Sequence, residues 1–312
     1  MASTWAQSWT CGRCGAAISA RRRDVHESTW CPAIESTSKR VPAAVHIAAP
    51  SIGFATAPAH ASTAKVKLSS GLHLSFQQQS VFGELSTGGA IWRSELVLAE
   101  WCATVIPRIA AARELPPLVL ELGCGVAPAA GLQALALGAS VLFTDLSTVL
   151  PFTEANLRLN SSAVSALRTS NARSEVSRSC CDTAALCFGS DALPDRLVSL
   201  ASAQRGIDVV IVSDCIFRAA LHAPLARSLR AVLDCDTRAR KGVGAPTCVV
   251  AFRLRDDADM RFFDRALPSV GLVAAPLSEV DALTKLVPRR DVGRGGEAEQ
   301  VFLYSVARSR SF

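Results

Sequence analysis

The stretch VLELGCGVAP, residues 119–128, decides the fold of this chain. Its first four residues are three apolar residues and one glutamate, which is typical of a buried strand, and Gly123 and Gly125 then form a tight turn. Proline is tolerated in the first turn of a helix, where its missing N–H would have no partner, so Pro128 is compatible with a helix start. The stretch therefore predicts a strand, a glycine turn and a helix.

From residue 118 onward, apolar strand runs alternate with helical stretches. The strand runs are LVLEL, SVLFTD, IDVVIVSD and TCVVAFRL, and helices are expected from about residues 127, 148, 219 and 258. Strict alternation implies right-handed crossovers and a parallel sheet covered on both faces. A further strand is expected between residues 161 and 206, in either EVSRSCC or TAALCFG.

The two ends of this region have different patterns. The last strand runs, GLVAAPL and QVFLYSVA, are separated by a polar loop without a helix, which predicts antiparallel neighbours. Upstream, KVKLSSGLHLSFQ alternates like a β-hairpin, and GAIWRSELVLAEWCATVI has helical spacing, with Pro107 and the Pro116-Pro117 pair marking the end of the helix. We therefore predict an α/β domain over residues 65–312, in which a hairpin and a helix precede a mostly parallel sheet with an antiparallel last strand.

Residues 1–64 are rich in Ala, Ser, Thr and Pro and have no helical or strand periodicity, which predicts a disordered extension. The first 23 residues contain four arginines and no acidic residue, a composition typical of an organellar transit peptide. A low-complexity tail explains this composition equally well. The expected location is the cytoplasm, or the chloroplast or mitochondrion if the extension is a transit peptide.

The same segment contains four residues of the types that bind zinc: Cys11, Cys14, His26 and Cys31. A C-x-x-C pair is one usual half of a structural zinc site. The other half, a histidine followed five positions later by a cysteine, has no hydrophobic core around it, so no metal is expected. The chain has eleven cysteines, but they are scattered and follow no secretory segment, so a reducing compartment without disulfides is expected.

Charge and hydropathy limit the partners. The net charge is +6, but most of the excess lies in residues 1–83, which carry eight basic and three acidic residues. The remaining chain is close to neutral, so no affinity for nucleic acid is expected. No apolar run approaches the roughly 20 residues that a membrane span needs, so no membrane association is expected either.

The glycine turn restricts the class of ligand that the chain can bind. A dinucleotide fingerprint requires a third glycine at position 128, which is Pro128, and a P-loop requires a Gly-Lys-Ser/Thr run that does not follow here. Asp145 ends the next strand run, and an acidic side chain in that position accepts hydrogen bonds from ribose hydroxyls. The ligand is therefore predicted to be a nucleoside that needs no phosphate, and an adenosyl sulfonium fits.

Residues 119–160 resemble the cofactor half of the class I, seven-β-strand protein lysine methyltransferases, which modify chaperones, elongation factors and ATPases using S-adenosylmethionine. The resemblance extends upstream through LSFQQQSVFGELSTGGAIWRSELVLAEW and downstream through VVIVSDCIFRAALHAPLARSL and AFRLRDDADMRFFDRAL, covering about residues 66–307. It implies a Rossmann-like sandwich, S-adenosylmethionine as methyl donor, and a lysine of a protein partner as acceptor. We expect the chain to act as a monomer.

The resemblance also implies which residues bind the cofactor. Phe188 matches the family's aromatic residue beside adenine, although Cys187 replaces the acid that precedes it, and Cys181-Asp182 is a rival alignment. Ser213 matches a position near the adenine. The full implied set is Trp92, Gly123, Cys124, Gly125, Asp145, Phe188 and Ser213.

Two further residues are implied to be catalytic. Asp214 matches the aspartate of the family's Asp-x-x-Tyr motif, and we expect it to orient the lysine ammonium and help it lose a proton. Phe217 stands where that motif has tyrosine, which keeps an aromatic wall and removes the hydroxyl. Two alternatives remain: methylation of a small molecule or another nitrogen acceptor on the same fold, and cofactor binding without activity, which Cys187 and Phe217 motivate.

Overall fold

The computed structural model describes residues 8–10, 17–19, 62–79, 88–171, 179–235, 245–287 and 300–309. The chain divides into two units, Met1–Ala55 and Thr56–Phe312. In the first, β1 (Ser8–Thr10) and β2 (Ala17–Ser19) pair antiparallel. The sequence predicted no strand in this unit, because three residues per strand are too few for a periodicity to be recognised.

The second unit begins with the expected hairpin, formed by β3 (Ser62–Lys67) and β4 (His73–Gln78). Its first strand starts three residues before the predicted boundary at 65. Helix α1 follows at Arg93–Ala111, so it runs through Pro107 and ends between this proline and the Pro116-Pro117 pair. Packing of the buried face, which includes Ile106, outweighs the one backbone hydrogen bond that proline removes.

The remaining strands form one seven-stranded sheet. They are β5 (Leu118–Leu122), β6 (Ser140–Asp145), β7 (Cys181–Ala185), β8 (Val209–Ser213), β9 (Thr247–Arg253), β10 (Leu272–Pro276) and β11 (Val301–Arg308). The helices between them are α2 (Ala129–Ala136), α3 (Leu150–Asn171), α4 (Asp195–Ala203), α5 (Ala219–Cys235), α6 (Asp257–Arg261), α7 (Leu267–Ser269) and α8 (Val280–Leu286). A π-helical turn, Phe262–Ala266, joins α6 to α7.

The sheet order is β10-β11-β9-β8-β5-β6-β7, and β11 is antiparallel to both of its neighbours. This confirms the predicted fold class, a mostly parallel sheet with an antiparallel last strand. Strand β7 begins with the last residue of one candidate segment and ends inside the other. Helix α8 lies between β10 and β11, where no helix was predicted, because its seven residues with one buried side chain, Leu283, give too short a pattern.

Helices cover both faces of the sheet. On one face, Phe143, Ile211 and Val249 belong to a core shared with α1 and α2, and on the other face Val210 and Phe252 belong to a core shared with α4 and α5. In the part of the chain that the structure describes, no helix is both long enough and apolar enough to span a bilayer.

The hairpin is attached to α3 by two asparagines. The side-chain amide of Asn156 accepts a hydrogen bond from Gln77 N at 2.8 Å and donates one to Gln77 O at 3.0 Å. Asn160 makes the same pair of bonds with Ser75, both at 2.8 Å. Asn156 also donates to Val126 O at 2.7 Å, so the hairpin is tied to the segment that follows the glycine turn.

Candidate active site

The carboxyl ends of the parallel strands meet at one edge of the sheet. Strand β5 lies between β6 and β8 in the sheet. The chain continues from β5 to β6 on one side and later crosses to β8 on the other side, so the order of the strands reverses at β5. Ligands of open α/β sheets bind outside such a switch point. Gly123, Asp145 and Ser213 all stand at the ends of these strands, so the structure brings three of the predicted site residues to one place.

The glycine turn has a left-handed backbone, with φ of +68° at Gly123 and +59° at Gly125. The N–H groups of Gly123 and Cys124 donate to Thr144 O at 2.8 and 3.0 Å. A Cβ atom at Gly125 would lie 2.9 Å from Gly88 O. Positive φ and the close approach of a second backbone therefore both require glycine in this turn.

Asp145 fixes the turn from the next strand. Its Oδ2 accepts a hydrogen bond from Gly125 N at 2.7 Å, and its Oδ1 accepts one from Leu146 N at 2.7 Å. Burial raises the pKa of Asp145, and these two hydrogen bonds partly offset the rise. Each carboxylate oxygen keeps a second lone pair for a ligand hydroxyl.

Phe188 lies against the turn. Its ring atom Cζ is 3.0 Å from the place that a Cβ atom of Gly123 would occupy, and Cys215 Sγ is 2.5 Å from the same place. In the sheet register Asp145 is opposite Ala185, so Phe188 follows the strand end at the site, whereas Asp182 lies three residues earlier in β7 and pairs with Arg196. The structure thus places Phe188, and not the rival Cys181-Asp182 pair, beside the glycines.

Cys124 lies between the two glycines of the turn, and its side chain is buried in the core shared with α1 and α2. Burial together with nearby carboxylates raises the pKa of its thiol well above the ordinary value.

Asp214 is buried directly after β8 with a φ of +54°. Its Oδ2 accepts hydrogen bonds from Ser94 Oγ at 2.9 Å and from Arg253 Nε at 3.0 Å. Its Oδ1 accepts one from Arg255 Nη2 at 2.7 Å. We call Ser94, Arg253 and Arg255 the Asp214 cage. Non-glycine residues with positive φ cluster at functional sites, where the surroundings must hold them in place.

Two further predicted residues, Trp92 and Ser213, adjoin this cage. The guanidinium of Arg253 lies over the ring of Trp92, 4.4 Å from its centroid, and Ser213 Oγ donates to Ser94 Oγ at 3.5 Å. The guanidinium of Arg218 lies over the ring of Phe217 at 5.1 Å. The structure therefore brings Trp92 and Ser213 to Asp214, and it places an arginine against the face of Phe217.

Sequence reasoning missed the cage. Arg253 and Arg255 lie two residues apart where a buried strand ends, so both point to the same side of the chain. The spacing of these two arginines could therefore have indicated a charged site at the end of the strand. Ser94 gives no such signal, because a serine in the first turn of a helix has many ordinary roles.

Two buried glutamates, Glu95 of α1 and Glu121 of β5, lie beneath the site, and we call them the carboxyl pair. Burial raises the pKa of Glu95 to about 7, although Oε1 accepts a 2.6 Å hydrogen bond from Ala130 N. Burial and the adjoining Glu95 raise the pKa of Glu121 well above its ordinary value. At neutral pH the pair therefore keeps at least one proton.

A sheet of this order, with a glycine turn and an acidic residue ending the next strand, defines a Rossmann-like nucleoside-binding fold of the methyltransferase type. A family model described as lysine methyltransferase matches residues 69–268, more than half of the chain. The chain belongs to this family, which confirms the resemblance found in the sequence. S-adenosylmethionine is the methyl donor of the family.

Solved structures with similar folds are methyltransferases. A SAM-dependent methyltransferase from Agrobacterium tumefaciens is 14% identical with a TM-score of 0.42, covering 81% of this chain and 72% of that one. A magnesium protoporphyrin IX methyltransferase from Synechocystis, with bound S-adenosylhomocysteine, is 13% identical with a TM-score of 0.38, covering 68% and 84%. A glycopeptide N-methyltransferase is 12% identical with a TM-score of 0.38, covering 66% and 86%. A search of curated proteins gave no match.

A second family model, described as C2HC zinc finger, matches residues 2–32. Cys11, Cys14, His26 and Cys31 lie in this segment but outside the residues that the structure describes. Within the described residues, no group of three or more potential metal ligands occurs. The structure thus leaves the prediction about a metal at these four residues untested.

Asp145→Asn is expected to weaken S-adenosylmethionine binding about tenfold. The amide keeps one acceptor oxygen but loses the charge and the second acceptor, and a hydrogen bond to a charged group contributes about 1.5–3 kcal/mol. Titration calorimetry measures the dissociation constant. Asp182→Asn is the matched control, because Asp182 lies on the neighbouring strand and pairs with the half-exposed Arg196. Equal affinity in Asp145→Asn and the wild type would remove Asp145 from the binding site.

Proposed function

We propose that the protein transfers a methyl group from S-adenosylmethionine to the ε-amine of a lysine in a protein substrate. The observation that carries this proposal is Asp214, a buried carboxylate held at the switch point of a chain that belongs to the lysine methyltransferase family. An anion at this place provides a partner for the ammonium of an approaching lysine.

The residues at the site suit the methyl donor. The glycine turn exposes backbone at the end of β5, Asp145 offers acceptor atoms for the ribose hydroxyls, and the ring of Phe188, which lies against Gly123, provides a surface for the adenine. When bound, the sulfonium supplies a methyl group to a neutral amine. The protein's contribution is then to align the amine with that methyl group and to favour loss of its proton.

Asp214 is expected to bind the lysine as its ammonium and to orient it before the proton is lost. Arg253 and Arg255 hold the carboxylate in place for this role. Phe217 supplies an apolar wall there without a hydroxyl, so turnover is expected to be lower than with tyrosine at that position.

Labelling tests this function. Purified protein is incubated with methyl-labelled S-adenosylmethionine and a protein extract, and label is expected in one or a few protein bands. Gly125→Val is the negative control, because its side chain would collide with the backbone of Gly88. Label confined to small molecules would favour a small-molecule methyltransferase, and calorimetric binding without any labelling would favour a cofactor-binding protein without activity.

We also propose that the first unit binds one Zn²⁺ through Cys11, Cys14, His26 and Cys31, which replaces the expectation of no metal. Three thiolates and one imidazole are a usual donor set of tetrahedral structural zinc sites. The observation that favours zinc is the antiparallel pair β1 and β2, because Cys11 and Cys14 lie in the connection between these strands.

Elemental analysis by mass spectrometry tests the zinc site. About one zinc per chain is expected in the purified protein, and Cys14→Ser is expected to lose most of it. Cys235→Ser, at the end of α5, is the matched cysteine control and is expected to keep the metal. Wild-type protein that contains no zinc after expression in zinc-supplemented medium would refute the assignment.

A further inference from the structure

The two carboxylate oxygens of Asp214 are held by side chains that differ in exposure. Oδ2 is bound by Ser94 and Arg253, and the side chain of Arg253 is only 11% exposed. Oδ1 is bound by Arg255, whose side chain is 29% exposed, while that of Asp214 is 2% exposed. Of the three side chains of the Asp214 cage, that of Arg255 is therefore the most exposed.

The two arginines are also anchored differently. Arg253 lies over Trp92 and cannot leave Asp214 without giving up that contact as well. Among the described residues, the guanidinium of Arg255 makes one further hydrogen bond, to Arg253 O at 3.2 Å. The backbone of Arg255 is fixed by a 2.9 Å bond from its N–H to Asp259 Oδ2. The Arg255 side chain can thus rotate away while its Cα atom stays in place.

We propose that Arg255 occupies the position of the substrate ammonium, and that the target lysine binds by displacing its guanidinium from Asp214 Oδ1. This inference rests on the proposed function. Asp214 and Arg253 together are neutral, so one additional cation at Oδ1 gives the same net charge whether it is Arg255 or a lysine. The exchange leaves no buried carboxylate without a partner, which would otherwise be costly.

The exchange also defines the class of substrate. Arg255 is tethered beside Asp214 at a high effective concentration, so a free amine in solution competes poorly with it. A lysine on a protein that makes further contacts with this chain has the additional binding free energy to displace it. Arg255 is therefore a specificity-determining residue that favours docked protein lysines over small amines.

Arg255→Gln tests the inference with n-butylamine, which carries the amine and the four-carbon chain of lysine. The variant is expected to methylate n-butylamine at least about tenfold faster than the wild type at equal pH. Its KM for n-butylamine is expected to fall by a larger factor than its kcat rises. Its affinity for S-adenosylmethionine is expected to be unchanged. Arg265→Gln, an exposed arginine on the π-helical turn, is the matched control and is expected to behave like the wild type.

Three outcomes would contradict the displacement of Arg255 by the substrate lysine. Equal rates with n-butylamine in the wild type and Arg255→Gln, together with labelled proteins from an extract, would refute the exchange and leave the proposed function intact. Loss of protein labelling in Arg255→Gln with normal cofactor binding would show that Arg255 acts in the reaction and is not displaced, which also refutes it. A wild type that binds the cofactor and labels no protein would refute the proposed function and this inference together.

Discussion

Asp214→Asn is expected to lower the turnover of methyl transfer by about a hundredfold or more, while the affinity for S-adenosylmethionine changes by less than about threefold. Asparagine has the size of aspartate and tolerates the positive φ at this position. It does not carry the negative charge that orients an ammonium, and the loss of one oriented charged hydrogen bond in a buried site accounts for an effect of this order. Turnover is measured on the labelled protein substrate, and affinity by calorimetry.

The same substitution is expected to destabilise the protein. Arg253 and Arg255 lose their shared counter-charge, and breaking a buried ion pair from one side costs about 3–5 kcal/mol. Urea unfolding measures the loss. Asp234→Asn is the matched control, because Asp234 also pairs with two arginines, Arg230 and Arg308, but is 40% exposed. It is expected to cost less than about 1 kcal/mol and to leave turnover unchanged.

Wild-type turnover in a folded Asp214→Asn variant would remove Asp214 from the mechanism. Loss of cofactor binding in parallel with loss of turnover would instead assign Asp214 to the cofactor site. The two parameters therefore separate orientation of the acceptor from binding of the donor.

Glu95→Gln is expected to stabilise the protein above pH 7 by about 3 kcal/mol and to have little stabilising effect near pH 4.5. The pKa of Glu95 rises from 4.5 to about 7 on folding. Below pH 4.5 the glutamate is protonated in both states. Between pH 4.5 and 7 only the unfolded state loses the proton, so the wild type loses stability as the pH rises, by about 1.4 kcal/mol per pH unit. Glutamine is neutral in both states and avoids this loss.

The measurement is urea unfolding of the wild type and Glu95→Gln at half-unit intervals from pH 4.5 to pH 8.5. The glutamine oxygen can still accept the hydrogen bond from Ala130 N, so the comparison isolates the charge. The difference in unfolding free energy is expected to grow up to about pH 7 and then to stay constant. A difference that does not change with pH would show that Glu95 titrates at an ordinary pKa in the folded protein.

The sheet was predictable because its strands are strong, separate signals. Runs such as SVLFTD are apolar, short and bounded by turn residues, and strict alternation with helices leaves few topologies. The misses were short elements: β1, β2 and α8 each present too few residues for a periodicity. The position of strand β7 was predicted only approximately for a different reason. It is an edge strand in which most residues are at least partly exposed, so it lacks a continuous apolar run.

The residues expected to bind the methyl donor were more predictable from the sequence than the residues around Asp214, where the acceptor is expected to bind. Glycines in a turn and an acid ending the next strand are local patterns that report on the backbone directly. The Asp214 cage joins residues that are 39 to 120 positions apart, and no local pattern records such pairings.

One glycine was missed for the same reason. The third glycine, looked for at position 128, has its counterpart at Gly131, where a Cβ atom would lie 2.3 Å from Glu121 Oε2 and from Phe143 Cε1. The close approach of helix and sheet at Gly131 depends on tertiary packing and not on the spacing of the motif.

Amino-acid analysis of the labelled substrate tests the central claim most directly. Protein labelled with methyl-tritiated S-adenosylmethionine is hydrolysed completely, and the amino acids are separated against standards. The label is expected to elute with methylated lysine and to be absent when Gly125→Val replaces the wild type. Label that elutes with methylated arginine or histidine, or that is released as methanol by mild base, would contradict transfer to a lysine amine.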